Sequence, residues 1–450
     1  MIAKKLTALL LAGATAVGLT VPAGAISPTG ATMLLTTGAM RAMTEAGLEN
    51  NGVSTTPPAQ DGRSIGFYGL EETVRTYNQT IQGLKRTLAS VGSTDVVGPI
   101  EDQIWNYQIQ NSNLQAQMQS YEASANALED QLNGLGNEGS ESLRAALNAQ
   151  IEQMNRLAYS AEQSIAANTA IINGLEDSKD DAPADLADTY ATTEKQVENT
   201  ANQIVMGAQT QYITLCSLND NVAALDRTIA AIDRQIPVIE KQYEIGMASA
   251  LDVETIKNQR ATAVSSKTTL EAQIASLENS LSLTLGNSAG TTVHVQKVPE
   301  VRDYDLRQMN YEKDLEEAKD NSYTIWQMRD ALRQASNDYE DSVTSTLDAY
   351  NAAKINLEAA QEQVENDFRD IFNDVTEKRR LLDAAEDDLA LAETNFQVSE
   401  VQYDQGMISQ LEYENAKDTL ETARAAVTTA ETNLFISYNT YNWAKRGVMQ

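Results

Sequence analysis

The stretch that decides the fold is QYEIGMASALDVETIK, residues 242–257, which returns 160 residues later as QYDQGMISQLEYENAK, residues 402–417. Eight of the sixteen positions are identical. In each copy a glycine, Gly246 or Gly406, stands where a long helical pattern stops. Glycine takes a positive φ without steric cost, so it commonly ends helices. Each copy therefore predicts the end of a long helix.

The next helix begins a few residues after each glycine. Ser249 and Ser409 suit the N-cap position, because a serine hydroxyl satisfies a free amide of the first helical turn. Asp252 and Glu412 follow three residues later, where a carboxylate can bond back to the N-cap amide and complete a capping box. The sequence thus predicts helix, tight turn and capped helix, an antiparallel hairpin, twice in one chain.

The helices on either side of the two turns carry matching patterns. Apolar residues recur at alternating spacings of four and three, as expected for helices packed along their length. They are Leu225, Ile229, Ile232, Ile236, Ile239 and Tyr243 in the first copy, and Ala385, Leu389, Ala392, Phe396, Ser399 and Tyr403 in the second. We expect Tyr243 and Tyr403 to finish this seam next to each turn. The predicted fold is all-α, with long antiparallel helical hairpins in two tandem repeats and at most a small β element near 290–298.

The chain opens with a predicted signal peptide, residues 1–25. Lys4 and Lys5 precede a mostly apolar stretch, and small residues end it. A flexible arm, 26–65, is expected next, then a first helical repeat, 66–290, a linker, 291–303, and a second repeat, 304–450.

The first repeat is longer than the second and contains an extra helical hairpin at about 100–180. A further seam indicates it: Leu114, Met118, Tyr121, Ala125, Leu128 and Leu132. The acidic run LEDSKDDAPADLAD, 175–188, is predicted to be a loop. Single helices are predicted at 70–90, 250–285, 304–337 and 410–445, with longer ones at 185–244 and 345–404.

Composition excludes several classes of function. The formal net charge of −31 makes the chain a poor ligand for nucleic acid. Cys216 is the only cysteine and His294 the only histidine, so neither a disulfide framework nor a Cys/His metal site can form within one chain. The G-x-S-x-G match at 286–290 follows a helix where a nucleophile elbow needs a strand. We expect no enzyme activity, no catalytic residues, no metal and no cofactor.

The tip pattern Tyr-x-x-Gly-x-x-Ser-x-x-Asp/Glu resembles the TolC family of outer-membrane efflux ducts. It is carried by Tyr243, Gly246, Ser249 and Asp252, and again by Tyr403, Gly406, Ser409 and Glu412. The segment LSLTLGNSAG, 281–290, and the opening of the second repeat also fit. The resemblance covers 185–447 well and 66–135 loosely.

This resemblance implies a homotrimer whose helices form a hollow α-helical barrel in the cell envelope, at the outer membrane or in the periplasm. Its hairpin tips would meet a membrane-fusion adaptor and an inner-membrane pump of ABC or RND type, and diverse small-molecule or peptide cargo would pass. Adaptor docking would fall on the tip residues Gly246, Met247, Ser249, Gly406, Met407 and Ser409. Asp252 and Glu412 would line the closed aperture.

Two alternatives stay open at this point. Asp252 and Glu412 could cap their helices without lining anything. The chain could also be a secreted or cell-surface coiled-coil structural protein without conduction. The family inserts two amphipathic membrane strands in each repeat, yet RQASNDYEDSVTSTLDAY, 333–350, is too short and too charged for two such strands.

Overall fold

A computed structural model describes residues 64–136, 140–288, 290–340 and 343–449. The predicted signal peptide lies outside these residues, and so does the predicted arm apart from Ser64 and Ile65. Two compact units divide the chain: the first holds 86–194, and the second holds 64–85 and 195–449. Each unit is described in its own right below.

The all-α prediction is confirmed, and two very short strands accompany the helices. In chain order the described residues form β1 (Ser64–Ile65), α1 (Phe67–Tyr77), α2 (Gln79–Gly92), α3 (Gly98–Gly134), α4 (Glu141–Glu244), α5 (Ala250–Thr284), β2 (His294–Val295), α6 (Asp303–Arg307), α7 (Tyr311–Asn321), α8 (Tyr323–Asn337), α9 (Thr344–Asp404) and α10 (Gln410–Lys445). The strands pair in parallel, with Ser64 opposite His294. This pair is the small β element expected near 290–298.

The acidic run at 175–188 is helical, so its prediction as a loop was wrong. It lies inside α4, which continues unbroken from Glu141 to Glu244. Leu175, Lys179, Ala182 and Leu186 continue the heptad spacing across the run and are all partly buried. Periodic packing on one face therefore outweighs the acidic and proline content of the other face, which points to solvent.

The helices predicted at 70–90 and 304–337 are broken, which is a second correction. Asn78 and Ser322 adopt extended backbone conformations, and each ends one helix and begins the next. The Asn78 side-chain oxygen accepts from the amide of Ile81 at 3.1 Å, and the Ser322 hydroxyl accepts from the amide of Ile325 at 3.3 Å. The capping residue sits inside an otherwise continuous amphipathic pattern, so periodicity alone could not show the break.

In the first unit, α3 packs against the N-terminal part of α4 as an antiparallel pair. Ile104 in α3 and Ile151 in α4 are buried, and the seam positions predicted between Leu114 and Leu132 are all partly or fully buried. The Asn168 side-chain amide donates to the Asn111 oxygen at 2.9 Å inside this seam. A buried amide pair of this kind holds two helices in one register.

The second unit contains the two predicted hairpins. Hairpin 1 consists of residues 195–244 of α4, the turn 245–249 and α5; hairpin 2 consists of α9, the turn 405–409 and α10. Their cores repeat at the spacing of the turns, since residues 160 apart are buried in both. These pairs are Leu215 and Val375, and Leu281 and Tyr441. The duplication read from the sequence thus extends into the packing.

The far end of each hairpin repeats a second close approach. Gly286 follows α5 with φ +81°, and Gly447 follows α10 with φ +77°. A Cβ on Gly286 would lie 2.3 Å from the carbonyl oxygen of Tyr77, and one on Gly447 would lie 2.3 Å from that of Asn321. Each glycine therefore lets a helix end press against the carbonyl just before a helix break, at Asn78 in one repeat and Ser322 in the other.

Replacing these glycines should destabilise the second unit more than replacing a glycine that only needs positive φ. We expect Gly286→Ala and Gly447→Ala each to lower the free energy of unfolding by about 3 kcal/mol, because strain and a backbone clash add. Gly246→Ala is the matched control: its φ is +76° but the space around it is open. It should cost about 1 kcal/mol. Urea unfolding followed by circular dichroism measures the difference, and equal losses would contradict the close approach.

Candidate functional site: the paired hairpin turns

The first hairpin turn ends its long helix with a Schellman motif. The Met247 amide donates to the carbonyl of Gln242 at 2.7 Å, and the Gly246 amide donates to the carbonyl of Tyr243 at 3.0 Å. Gly246 takes φ +76°. These bonds satisfy carbonyls that a helix end otherwise leaves unpaired, and they require the left-handed glycine.

The second turn has the same geometry. The Met407 amide donates to the carbonyl of Gln402 at 2.8 Å, and the Gly406 amide donates to that of Tyr403 at 2.9 Å, with φ +70° at the glycine. Corresponding distances in the two turns agree within 0.1 Å. The identical residues of the two motifs therefore build one shape twice.

A capping box begins the helix after each turn. One carboxylate oxygen of Asp252 accepts from the Ser249 amide at 2.8 Å and from its hydroxyl at 2.7 Å, and the hydroxyl accepts from the Asp252 amide at 3.2 Å. Glu412 bonds with Ser409 in the same way, at 2.7, 2.8 and 3.2 Å. The longer glutamate reaches the same position as the aspartate.

These hydrogen bonds keep both carboxylates charged. The pKa of Asp252 is lowered, first by the bond from the Ser249 amide and then by the Ser249 hydroxyl. The pKa of Glu412 is lowered by the corresponding groups of Ser409. Donors to a carboxylate favour its ionised form. Each turn thus presents a fixed negative charge at neutral pH, whichever role that charge has.

The side chains at the turns are strongly exposed. Met247 is 76% exposed and Met407 is 70% exposed. The two tyrosines next to the turns differ: the Tyr403 ring stacks on Tyr413 with 4.7 Å between centroids, whereas Tyr243 is 51% exposed. The turns are equal in backbone but unequal in the packing beside them.

Contacts between the hairpins place both turns at the same end of the second unit. Arg234 forms an ion pair with Asp418, and each lies twelve residues from its turn glycine. Farther from the turns, the Asn439 side-chain amide donates to Gln209 at 3.0 Å. The numbering falls along α4 as it rises along α10, so these helices run antiparallel and both turns lie beyond the Arg234 contact.

The ion pair between Arg234 and Asp418 was not predicted from the sequence. Its signal was available, because opposite charges stand at equal distance from the two turn glycines. Such a symmetric placement becomes informative only when the hairpins are known to lie side by side.

The described residues offer little for chemistry or metal binding. Within 64–136, 140–288, 290–340 and 343–449, no group of three His, Cys, Asp or Glu side chains could hold a metal ion. The G-x-S-x-G match begins at the glycine turn after α5, as its helical context predicted. In this same part of the chain, the helices lack the length and apolar character needed to span a membrane.

Comparison with known proteins finds similarity only among solved structures. No protein-family model matches the chain, and no curated protein matches it. The outer membrane protein VceC of Vibrio cholerae is 14% identical with a TM-score of 0.42, covering 60% of this chain and 76% of VceC. The outer membrane channel CmeC of Campylobacter jejuni is 12% identical with a TM-score of 0.37, covering 61% and 67%. The outer-membrane channel OprN is 12% identical with a TM-score of 0.38, covering 88% and 95%.

These matches belong to the class of protein that the sequence resembles. Their identities and TM-scores are low. The functional proposal below therefore rests on the duplicated turns and their placement.

The capping boxes predict a measurable change in carboxylate titration. In Ser249→Ala the pKa of Asp252 should rise toward its ordinary value, because the hydroxyl donor is lost. Ser409→Ala should do the same for Glu412. Side-chain NMR titration measures both values, and Ser265→Ala, in the middle of α5, serves as the control that leaves Asp252 unchanged.

The sign of the pH effect follows from these lowered pKa values. Each folded-state pKa lies below the unfolded one, so the cap is complete above the unfolded pKa and is lost as pH falls through the folded pKa. The Ser→Ala variants should therefore lose less stability on acidification than the parent does. An unchanged Asp252 pKa in Ser249→Ala would contradict the capping box.

Proposed function

We propose that the chain is an exit-duct component of an efflux or type I-like export complex. Three copies would form a helical tunnel, and the hairpin turns would lie at one end of it. The single observation that carries the proposal is the occurrence of two turns of the same geometry at the same end of one unit. A ring built from three such units would present six equivalent tips.

Exposed apolar residues near the second turn support an oligomer. Leu391, Val398 and Val401 lie on one side of α9, away from the seam, and each is more than half exposed. Clustered apolar exposure on one face of a helix is typical of a surface that another chain covers. A second copy packed against this face would bury it and continue the wall of a tunnel.

The tips themselves are proposed to dock a membrane-fusion adaptor that links the duct to an inner-membrane pump of ABC or RND type. The docking residues would be the turn residues Gly246, Met247, Ser249, Gly406, Met407 and Ser409. The exposed methionines supply adaptable apolar contacts, while the rigid backbone turns fix where those contacts lie. The cargo would be diverse small molecules or peptides.

Asp252 and Glu412 are proposed to line the aperture as well as cap their helices. Each uses one carboxylate oxygen in its capping box. Six such charges around a narrow opening would attract cations and repel anions. Capping and lining are compatible, since the same bonds that fix the carboxylate also keep it charged.

Neutral variants separate the two roles. Asp252→Asn and Glu412→Gln keep an oxygen that can accept the capping bonds but remove the charge. In the double variant, recorded in a planar lipid bilayer under a salt gradient, we expect the assembly to stay folded and its cation preference to fall by severalfold. Asp233→Asn, a neutralisation away from the turns, is the control.

Two outcomes would count against the proposal. An intact assembly that never conducts would contradict the exit duct and favour a structural protein of the cell surface. A cation preference that the double variant leaves unchanged would limit Asp252 and Glu412 to capping.

A further inference from the structure

The two hairpins share one shape but differ in the composition of their seams. The buried positions of α5 after its turn include Val253, Ile256 and Ala263, at the alternating spacings of a heptad. Arg260 and Lys267 occupy two further positions of the same seam. The residues 160 positions on, in hairpin 2, are Leu420 and Val427. Hairpin 1 thus carries cations where hairpin 2 carries apolar side chains.

Each of these cations is paired across hairpin 1. Arg260 Nε lies 2.5 Å from Asp233 Oδ1, and Lys267 Nζ lies 2.6 Å from Asp226 Oδ1. Asp226 and Asp233 are seven residues apart on α4, beside the seam. A third pair, Glu240 with Lys257 at 2.8 Å, continues this row toward the turn. Hairpin 1 is therefore held near its tip partly by a row of ion pairs.

Hairpin 2 is held at the same level by apolar and aromatic contacts. Leu420 is buried, and Val427 packs against the core. The Tyr413 ring lies between two others, 4.7 Å from Tyr403 and 5.5 Å from Phe396. Glu386 and Glu393 stand 160 residues after Asp226 and Asp233, so the acidic row is present in both hairpins. The difference lies in the cations of the seam.

The physical consequence is a different response to salt. A charged residue at a core heptad position costs stability compared with a branched apolar one. The paired side chains of hairpin 1 are 29–53% exposed, so dissolved ions can screen them. Screening shortens from about 8 Å at physiological ionic strength to about 3 Å at 1 M. Apolar burial in hairpin 2 is not weakened in this way.

We propose that hairpin 1 is the half of each protomer that opens near its tip as ionic strength rises, while hairpin 2 stays closed. The unequal seams make the two hairpins a yielding arm and a fixed arm with the same turn. In a duct, movement of hairpin 1 alone would widen the aperture. That last step rests on the proposed function; the unequal stability of the hairpins does not.

Hydrogen–deuterium exchange tests the unequal stability directly, with hairpin 2 as the internal reference. The full-length protein is compared in 50 mM and 1 M KCl, and exchange is followed in peptides covering 250–270 and 410–430. We expect exchange in 250–270 to accelerate at least threefold more than in 410–430. Equal acceleration of the two segments would overturn the proposal.

Reciprocal grafts identify the residues responsible. Arg260→Leu with Lys267→Val gives hairpin 1 the seam of hairpin 2 and should remove most of the extra salt response of 250–270. Leu420→Arg with Val427→Lys gives hairpin 2 the cations, opposite acids that it already has, and should transfer that response to 410–430. The first graft adds apolar residues to a seam, so it decides the matter even if the second fails to fold. A first graft that leaves the extra response intact would overturn the assignment to these two residues.

Electrical recording separates this inference from the proposed function. If the assembly conducts, the Arg260→Leu, Lys267→Val variant should open less often at 1 M KCl than the parent does. Unchanged opening would refute hairpin 1 as the moving arm. An assembly with the expected exchange pattern but no conductance would refute the duct and leave the difference between the hairpins standing.

Discussion

The left-handed glycine at each hairpin turn is the constraint on which the second unit depends. Gly246 and Gly406 let a long helix stop with its last carbonyls satisfied, and a capping box starts the next helix three residues later. The chain therefore reverses within five residues without leaving orphan backbone groups. Because the reversal is so tight, the two helices of each hairpin must pack directly against each other from the first turn onward.

Two further glycines solve the matching problem at the other end of the hairpins. Gly286 and Gly447 also end helices with positive φ, and both touch the carbonyl that precedes a helix break. The duplicated chain thus uses one device, a helix closed by glycine, for two purposes. At the exposed turns it creates a tip with open space around it, and at the buried ends it permits close backbone contact.

The sequence predicted the parts of the fold that periodicity and capping encode. The helices Ala250–Thr284, Gln410–Lys445 and Thr344–Asp404 lie within one residue of their predicted bounds. It did not predict the breaks at Asn78 and Ser322, because a capping side chain inside an amphipathic pattern is ordinary in a helix too. The acidic run at 175–188 was wrong for the opposite reason, since its charges hid a heptad that continues beneath them.

The candidate site was predictable in its residues but not in its arrangement. Two copies of one motif identified the turns, yet only contacts such as that between Gln209 and Asn439 placed both turns at one end. The unequal seams were visible as Arg260 and Lys267 opposite Leu420 and Val427. They gained meaning once the ion pairs to Asp233 and Asp226 were seen, because charge in a seam matters through its partner.

Light scattering of the purified protein, which gives the mass of the assembly in solution, tests the closed oligomer most directly. Two turns per protomer at one end imply a ring, and the proposal predicts a particle of three times the mass of one chain. A stable monomer at micromolar concentration would contradict the tunnel, because a single protomer cannot enclose a passage.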